Sequence, residues 1–333
     1  MERYIAVDNV CAWPNLTIFP DGTIAAVIFN QPSHGWWEGD VECWTSSDEG
    51  RTWKKRGVPA PHEPGTNRMN VAAGLAKDGA FIVISSGWSD KKPKRVIREN
   101  YYQNSKILKP WVCRSYDVGY SWEHFEIKNM DKPCIPFGDI VQCSDGSLGV
   151  SMYRQGETAY DAKSAHSYFF RSKDDGKTWE EPIIIGKEDY NETDLLALGA
   201  GKLLAACRTR KQGLLTLFES NDSGFTWNYK FDLTLPGQHP AHLLKLKDSS
   251  ILLTYGVRNK GSHGIAARIS QDNGLTWGMP ALIVSLGTEN DCGYPSSVQI
   301  ENDTIVTAYY CSKIESHMRY HMGVIRWSLN EFF

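Results

Sequence analysis

One short pattern constrains this chain more than anything else in it. Ser-x-Asp-x-Gly-x-Ser/Thr-Trp occurs five times, at Ser46–Trp53, Ser115–Trp122, Ser172–Trp179, Ser220–Trp227 and Ser270–Trp277. Each copy has the chemistry of a tight hairpin turn: Asp and Ser oxygens accept turn N–H groups, Gly supplies a positive φ, and Trp packs the turn onto a sheet. A second repeat runs out of phase with the first. Short turns between apolar, β-branched runs fall at Pro20–Thr23, Lys77–Gly79, Ser144–Gly146, Gly199–Gly201, Lys247–Ser249 and Glu301–Asp303. Asp-Gly between such runs is a strong hairpin signal. Each unit of about 50 residues therefore reads as two consecutive hairpins, a four-stranded antiparallel sheet. Radial repetition of such sheets solves the problem of exposed strand edges. The expectation is one all-β domain over residues 1–333, a six-bladed β-propeller. The last unit lacks a box, and the N-terminal strand Arg3–Val7 is free to complete it and close the ring. The longest departure from the repeat, about 88–110 with the run Lys91-Lys92-Pro93-Lys94-Arg95, reads as a surface insertion.

Composition narrows the function. Lys and Arg number 36 against 39 Asp and Glu, a net charge of −3, which argues against binding nucleic acid through a broad basic surface. Aromatic residues are 12 % of the chain, which suits β structure and surfaces that stack on sugars. No apolar run reaches the roughly 20 residues of a membrane span. No secretory leader is visible, which points to the cytoplasm, or to a secreted or periplasmic location if a leader has been removed. None of the eight cysteines forms a C-x-x-C pair, so they read as small buried hydrophobes and no metal or other cofactor is expected.

Register then locates a functional face. At about 3.3 Å per residue, eight residues span one blade height, so positions eight residues either side of each hairpin turn lie on the face opposite the turns. Counting back gives Trp13, Asn70, Phe137, Glu192, Pro240 and Tyr294; counting forward gives Phe29, Ser86, Tyr153, Arg208, Gly256 and Tyr310. Near neighbours include Asn15, Arg68, Asp139, Asp194, His239, His242, Arg258 and Asp291. Glu192 and Arg208 sit at the two ends of one hairpin and are expected to be cross-strand neighbours.

The five boxes resemble the Asp-box repeats of the sialidase (neuraminidase) superfamily, over Trp13 to Tyr310. The resemblance implies an active site at the propeller axis on the face opposite the boxes. Tyr190–Asp194 with Arg208 resembles the segment carrying the catalytic Glu and one carboxylate-binding Arg, and Gly293–Ser297 the segment carrying a Tyr nucleophile. A phenol suits a substrate whose anomeric carbon bears a carboxylate, because a charged nucleophile would be repelled. The implied roles are Tyr294 nucleophile, Glu192 its base partner and Asp40 acid/base, from a loop that also offers Glu38 and His34. Arg208, Arg258 and Arg68 are the expected anion clamp, with Trp13, Glu38, His239 and His242 as further substrate contacts. Two departures stand out. Ala12-Trp13-Pro14 occupies the place of the family's Arg-Ile-Pro, and Ser262-His263-Gly264 meets the expected third Arg. The expected function is exo-acting, retaining hydrolysis of a terminal acidic sugar on a glycan. The alternatives are a polysaccharide lyase, a hydrolase of uronic or neutral sugars using His239 or His242, and a non-catalytic glycan-binding propeller. The sugar, the linkage and the oligomeric state are left open.

Overall fold

A computed structural model describes residues 1–91, 105–127, 130, 132–154, 165–287, 291–314 and 316–333. Among these the chain is almost wholly β: apart from 3-10 turns at Glu301–Asp303 and Leu329–Glu331, every regular element is a strand. The first strand, β1 (Glu2–Asp8), stands apart from the units that follow. Next come β2 (Cys11–Ile18), β3 (Ile24–Phe29), β4 (Val41–Ser46) and β5 (Lys54–Ala60), an antiparallel meander of four strands. The meander recurs as β6 (Asn70–Leu75), β7 (Phe81–Ser86), β8 (Trp111–Ser115) and β9 (Glu123–Glu126), then as β10 (Ile135–Gln142), β11 (Leu148–Arg154), β12 (His166–Ser172) and β13 (Ile183–Gly186). Those two join in one eight-stranded sheet through a short parallel pairing of β10 with β6, Gly138 opposite Ala72 and Asp139 opposite Ala73. The next two sheets are β14 (Tyr190–Gly199), β15 (Lys202–Thr209), β16 (Leu215–Ser220) with β17 (Asn228–Asp232), and β18 (Gln238–Lys245), β19 (Ile251–Val257), β20 (His263–Ser270) with β21 (Ala281–Gly287). The final strands, β22 (Cys292–Gln299), β23 (Ile305–Cys311) and β24 (His321–Trp327), make three of a four-stranded sheet. β1 supplies the fourth, antiparallel to β24 with Arg3 opposite Ile325 and Tyr4 opposite Val324. The fold is a β-propeller of four-stranded blades.

Every sequence-expected hairpin turn joins the first two strands of a unit, and every box joins the last two. The boxes share their Ser and Asp bonds, and the first, second and fourth add one from the Trp Nε1 to the Gly carbonyl. In the first, Gly50 N–H donates to Ser46 Oγ (2.8 Å), Thr52 N–H to Asp48 Oδ1 (2.9 Å), Thr52 Oγ1 to Asp48 Oδ2 (2.7 Å), and Trp53 Nε1 to Gly50 O (3.2 Å). The Gly–Ser bond recurs at 2.7–2.9 Å in the other four. The box glycines carry φ of +80° to +93°, which only glycine adopts freely. They also sit where blades meet. A Cβ on Gly50 would fall 2.9 Å from Val306, on Gly119 2.7 Å from Cys43, on Gly176 2.5 Å from Ile82, on Gly224 2.1 Å from Phe169 and on Gly274 2.7 Å from Leu204. Each box is thus pressed onto the sheet before it in the chain, and the first box onto the last sheet.

All eight cysteines are buried and unpaired. No helix of the described residues is long and apolar enough to cross a membrane. Most of the expected insertion, with its Lys-rich run past Lys91, lies outside the described residues. Its ends come together, Trp88 bridging to Ile107 and Ser89 N–H donating to Lys106 O at 3.0 Å.

Candidate active site

Five first strands share a departure from regular pairing, and it builds the site. Register shifts fall between Cys11 and Asn15, Phe137 and Val141, Tyr190 and Thr193, Gln238 and Ala241, and Gly293 and Ser296. Only the first strand of the second unit, β6, pairs without interruption. A bulge turns a side chain out of the alternating ladder. Here the bulges hold Trp13, Glu192, Pro240 and Tyr294, four of the six positions reached by counting back along the strands. Glu192 is therefore not the flat cross-strand partner of Arg208 that the spacing predicts. It stands in the bulge, from which its carboxylate reaches both Arg208 and, on another sheet, Tyr294. Tyr294 itself takes φ of 52°, an unfavourable region for a bulky residue that costs on the order of 1–3 kcal/mol.

Tyr294 and Glu192 are both buried, and the Tyr294 hydroxyl donates to Glu192 Oε1 at 2.5 Å. The other Glu192 oxygen accepts from Arg208 Nη1, which also donates to the Tyr294 oxygen at 3.2 Å. Arg258 lies over the Tyr294 ring, its guanidinium carbon 5.4 Å from the centroid, and is held by Cys292 O through Nε (3.1 Å) and Nη2 (2.9 Å). Burial, and then the Glu192 charge, push the Tyr294 phenol well above its usual range; the two arginines offset part of that. The resting group is a neutral phenol with its proton already pointed at a carboxylate. His239 lies 3.2 Å from Arg258 Nη1, and burial with the Arg208 and Arg258 charges drives its pKa far down, so its imidazole is neutral. Gly256 is required beside it, since a Cβ would stand 2.7 Å from His239 O.

An aromatic wall surrounds the phenol. Ring centroids of Trp13, Tyr310 and Phe137 lie 4.9, 5.6 and 5.8 Å from that of Tyr294. Outside the wall, His34 Nδ1 bonds Asp291 Oδ2 at 2.7 Å, and the same carboxylate accepts from the Tyr310 and Tyr320 hydroxyls, each at 2.6 Å. Burial raises the Asp291 pKa, but the bonds from His34 and the two tyrosines outweigh it and hold the carboxyl well below the usual range.

The structure thus assembles Tyr294, Glu192, Arg208, Arg258, His239 and Trp13, and gives four expected residues other places. Arg68 does not join the clamp: its guanidinium stacks on Trp111 at 3.8 Å and donates to Lys109 O at 2.9 Å, because the neighbouring aromatic offers a better surface for a planar cation. Asp40 is held by His62, whose N–H and Nδ1 lie 2.8 and 2.6 Å from Oδ1, and by Asn30. Glu38 accepts from Gly65 N–H. His242 is deeper, at the axis, 3.4 Å from Asp139 Oδ2. There Asp194 accepts Asp139 N–H (3.0 Å) and Leu243 N–H (2.6 Å), fastening β10, β14 and β18 together, while Asn15 of β2 donates to Gly138 O at 3.0 Å. Burial first and Asp139 second raise the Asp194 pKa to about 7. A cavity of about 20 Å³, room for roughly one water, is lined by Trp13, Phe137 and Tyr294 together with Asn15, Asp194 and His242. Sequence reasoning placed Asp291 and Tyr310 on this face without a role and passed over Tyr320, which belongs to no repeat.

Comparison with known proteins agrees with the propeller fold. The BNR repeat-like domain model matches residues 97–307. The chain belongs to the BNR repeat-like domain family. Among solved structures, a protein of unknown function from Dyadobacter fermentans is similar with TM-score 0.81 and 22 % identity, over 98 % of this chain and 97 % of that one. A point mutant of the NanB sialidase from Streptococcus pneumoniae has TM-score 0.74 at 13 % identity, over 99 % of this chain and 70 % of that one. A Hadza microbial sialidase has TM-score 0.72 at 16 % identity, over 97 % of this chain and 66 % of that one. This member of the family therefore has a sialidase-like propeller fold. No curated protein matches the sequence.

Proposed function

We propose that this chain is an exo-acting, retaining glycoside hydrolase for a terminal acidic sugar, with Tyr294 as nucleophile. We also read the propeller as six-bladed, taking the eight-stranded sheet as two blades joined at the axis. The observation that carries the functional reading is the short Tyr294–Glu192 hydrogen bond bridged by Arg208. In the first step the Tyr294 oxygen bonds to the anomeric carbon, the glycosidic C–O bond breaks with an acid giving its proton to the departing oxygen, and the phenol proton passes to Glu192. In the second, water gives a proton to the base that the acid has become and its oxygen displaces the phenolic oxygen, which takes its proton back from Glu192. A phenol kept neutral until attack approaches a carboxylate-bearing centre without charge repulsion. Arg208 and Arg258 flank the Tyr294 hydroxyl and ring and supply positive charge for a substrate carboxylate. The sialidase neighbours support this reading.

A panel of 4-nitrophenyl glycosides tests it, with sialic acid, glucuronic acid, galacturonic acid and rhamnose as sugars. Release of nitrophenol from an acidic member, lost in Tyr294→Phe, is the expected result. Turnover of rhamnoside alone, or full activity in Tyr294→Phe, contradicts it. A second reading is a polysaccharide lyase, with His239, 3.2 Å from Nη1 of the Arg258 that lies over the Tyr294 ring, as the proton-abstracting base. A product absorbing near 235 nm from a uronate polysaccharide would bring that reading forward.

A further inference from the structure

We propose that His34 is the proton donor to the leaving-group oxygen, with Asp291 as the positioning residue that holds its ring. The inference rests on Tyr294 acting as nucleophile and assigns the acid that this step requires. His34 belongs to the loop between β3 and β4, and Asp291 directly precedes β22, so two ends of the chain meet here. A carboxylate can only accept, so the His34 Nδ1···Asp291 contact fixes the proton on Nδ1 and leaves Nε2 as the functional nitrogen. Asp291 also accepts from Tyr310 and Tyr320. A carboxylate so fully bonded orients and stabilises an imidazolium rather than moving a proton itself. The His34 side chain is 35 % exposed, open to a substrate, and its ring stands 5.6 Å from Trp13 and 6.1 Å from Tyr310, both rings of the wall around Tyr294. Asp40, from the same loop, forms a similar pair with His62, but among the described residues no ring contact joins His62 to that wall.

The proton balance is complete. As the glycosidic C–O bond breaks, imidazolium gives its Nε2 proton to the departing oxygen, while Tyr294 bonds to the anomeric carbon and its own proton moves to Glu192. Neutral His34 then takes a proton from the incoming water, whose oxygen bonds to the anomeric carbon as the Tyr294–carbon bond breaks; Glu192 returns its proton to the Tyr294 oxygen, and all three residues regain their starting states.

Leaving groups of different acidity test the assignment. The 4-nitrophenyl and 4-methoxyphenyl glycosides are compared for whichever sugar of the panel the wild type hydrolyses. Nitrophenolate leaves without a proton; methoxyphenolate needs one. His34→Asn is expected to lower kcat/KM at least 100-fold on the methoxyphenyl glycoside and less than about 10-fold on the nitrophenyl one, the range of lost acid catalysis. Asp291→Asn is expected to show the same discrimination more weakly, and supplies the test if His34→Asn does not fold. His62→Asn is the control, with no discrimination expected. Equal losses on both substrates in His34→Asn and Asp291→Asn, or discrimination in His62→Asn instead, would overturn the proposal. Tyr294→Phe separates the two ideas, since activity retained there defeats the nucleophile reading itself.

Discussion

The two faces of this propeller are made from the same strands and are built on opposite rules. On the box face five turns repeat the same Ser and Asp bonds, each closed within eight residues, with Asp48, Asp117, Asp174, Asp222 and Asp272 all held ionised by Ser/Thr hydroxyls and backbone N–H groups. On the opposite face the equivalent strand ends carry Trp13, Asn70, Phe137, Glu192, Pro240 and Tyr294, no two alike, and the bonds of the Tyr294 hydroxyl reach Arg208 and Glu192, 86 and 102 residues away. Repetition serves a turn that only has to fold and pack. Divergence belongs where strand ends converge on one candidate site and each supplies something different. The axial cluster of Asp139, Asp194 and His242 lies beneath the converging ends and belongs to the second rule: its bonds span three sheets.

Variants on the two faces should fail differently. The largest effect is expected from Glu192→Gln, whose neutral amide cannot take the phenol proton. Turnover should fall by at least about 1,000-fold with the melting temperature within a few degrees of wild type, and adding Tyr294→Phe should cost little more because the pair acts as a unit. Asp194→Ala should be the reverse case. It strands two buried N–H groups at about 1–3 kcal/mol each, to be read as a lower urea midpoint with an unchanged m-value. Arg258→Ala should weaken binding of an acidic product by about 1.5–3 kcal/mol in calorimetry, and leave a neutral glycoside unaffected. Asp174→Ala should cost only about 1 kcal/mol, with kcat unchanged.

Acidity separates the faces by sign. Asp48 and Asp272 have pKa values lowered to about 2, Asp48 against an opposing burial effect and both through Thr and Ser hydrogen bonds. Their stabilisation is complete above the unfolded value near 4 and is lost as pH falls through about 2. Asp194 runs the other way. With its folded pKa raised to about 7, its contribution is complete below about pH 4 and is lost as pH rises through 7. His242 is raised as well, burial being outweighed by Asp139 and Asp194, and adds a loss in the same direction above its ordinary value. Urea midpoints from pH 2 to 8 should rise between 2 and 4. The Asp194-linked decline between 4 and 7 should flatten in Asp194→Asn, and a wild-type-like slope in that variant would show that Asp194 does not titrate there.

How much of this was legible in the chain follows the same division. The boxes and the hairpin turns gave the strand order, because their chemistry is local and needs no tertiary contact. Counting from the turns placed Glu192, Arg208, Tyr294 and Tyr310 on one face, since a strand advances by a fixed rise. Counting could not see the bulges, which depend on strands from neighbouring sheets, and so it made Glu192 and Arg208 flat neighbours. It also could not follow long side chains off their backbone: Arg68 starts on the right face and ends on Trp111. Loops were least legible. The segment 33–40 offered His34, Glu38 and Asp40, and which of them meets the site is decided by Asp291, Gly65 and His62, residues remote in sequence.

The nucleophile reading is tested most directly by the mass of the protein after exposure to a 2,3-difluoro derivative of the acidic sugar it hydrolyses. The ring fluorine slows both displacements, while the anomeric fluoride leaves readily and keeps the first fast, so any glycosyl-enzyme accumulates. The expected result is an increment of one sugar on the intact chain, located by peptide mapping at Tyr294 and absent from Tyr294→Phe. An unmodified protein that still turns over the parent glycoside with inversion of configuration would contradict it.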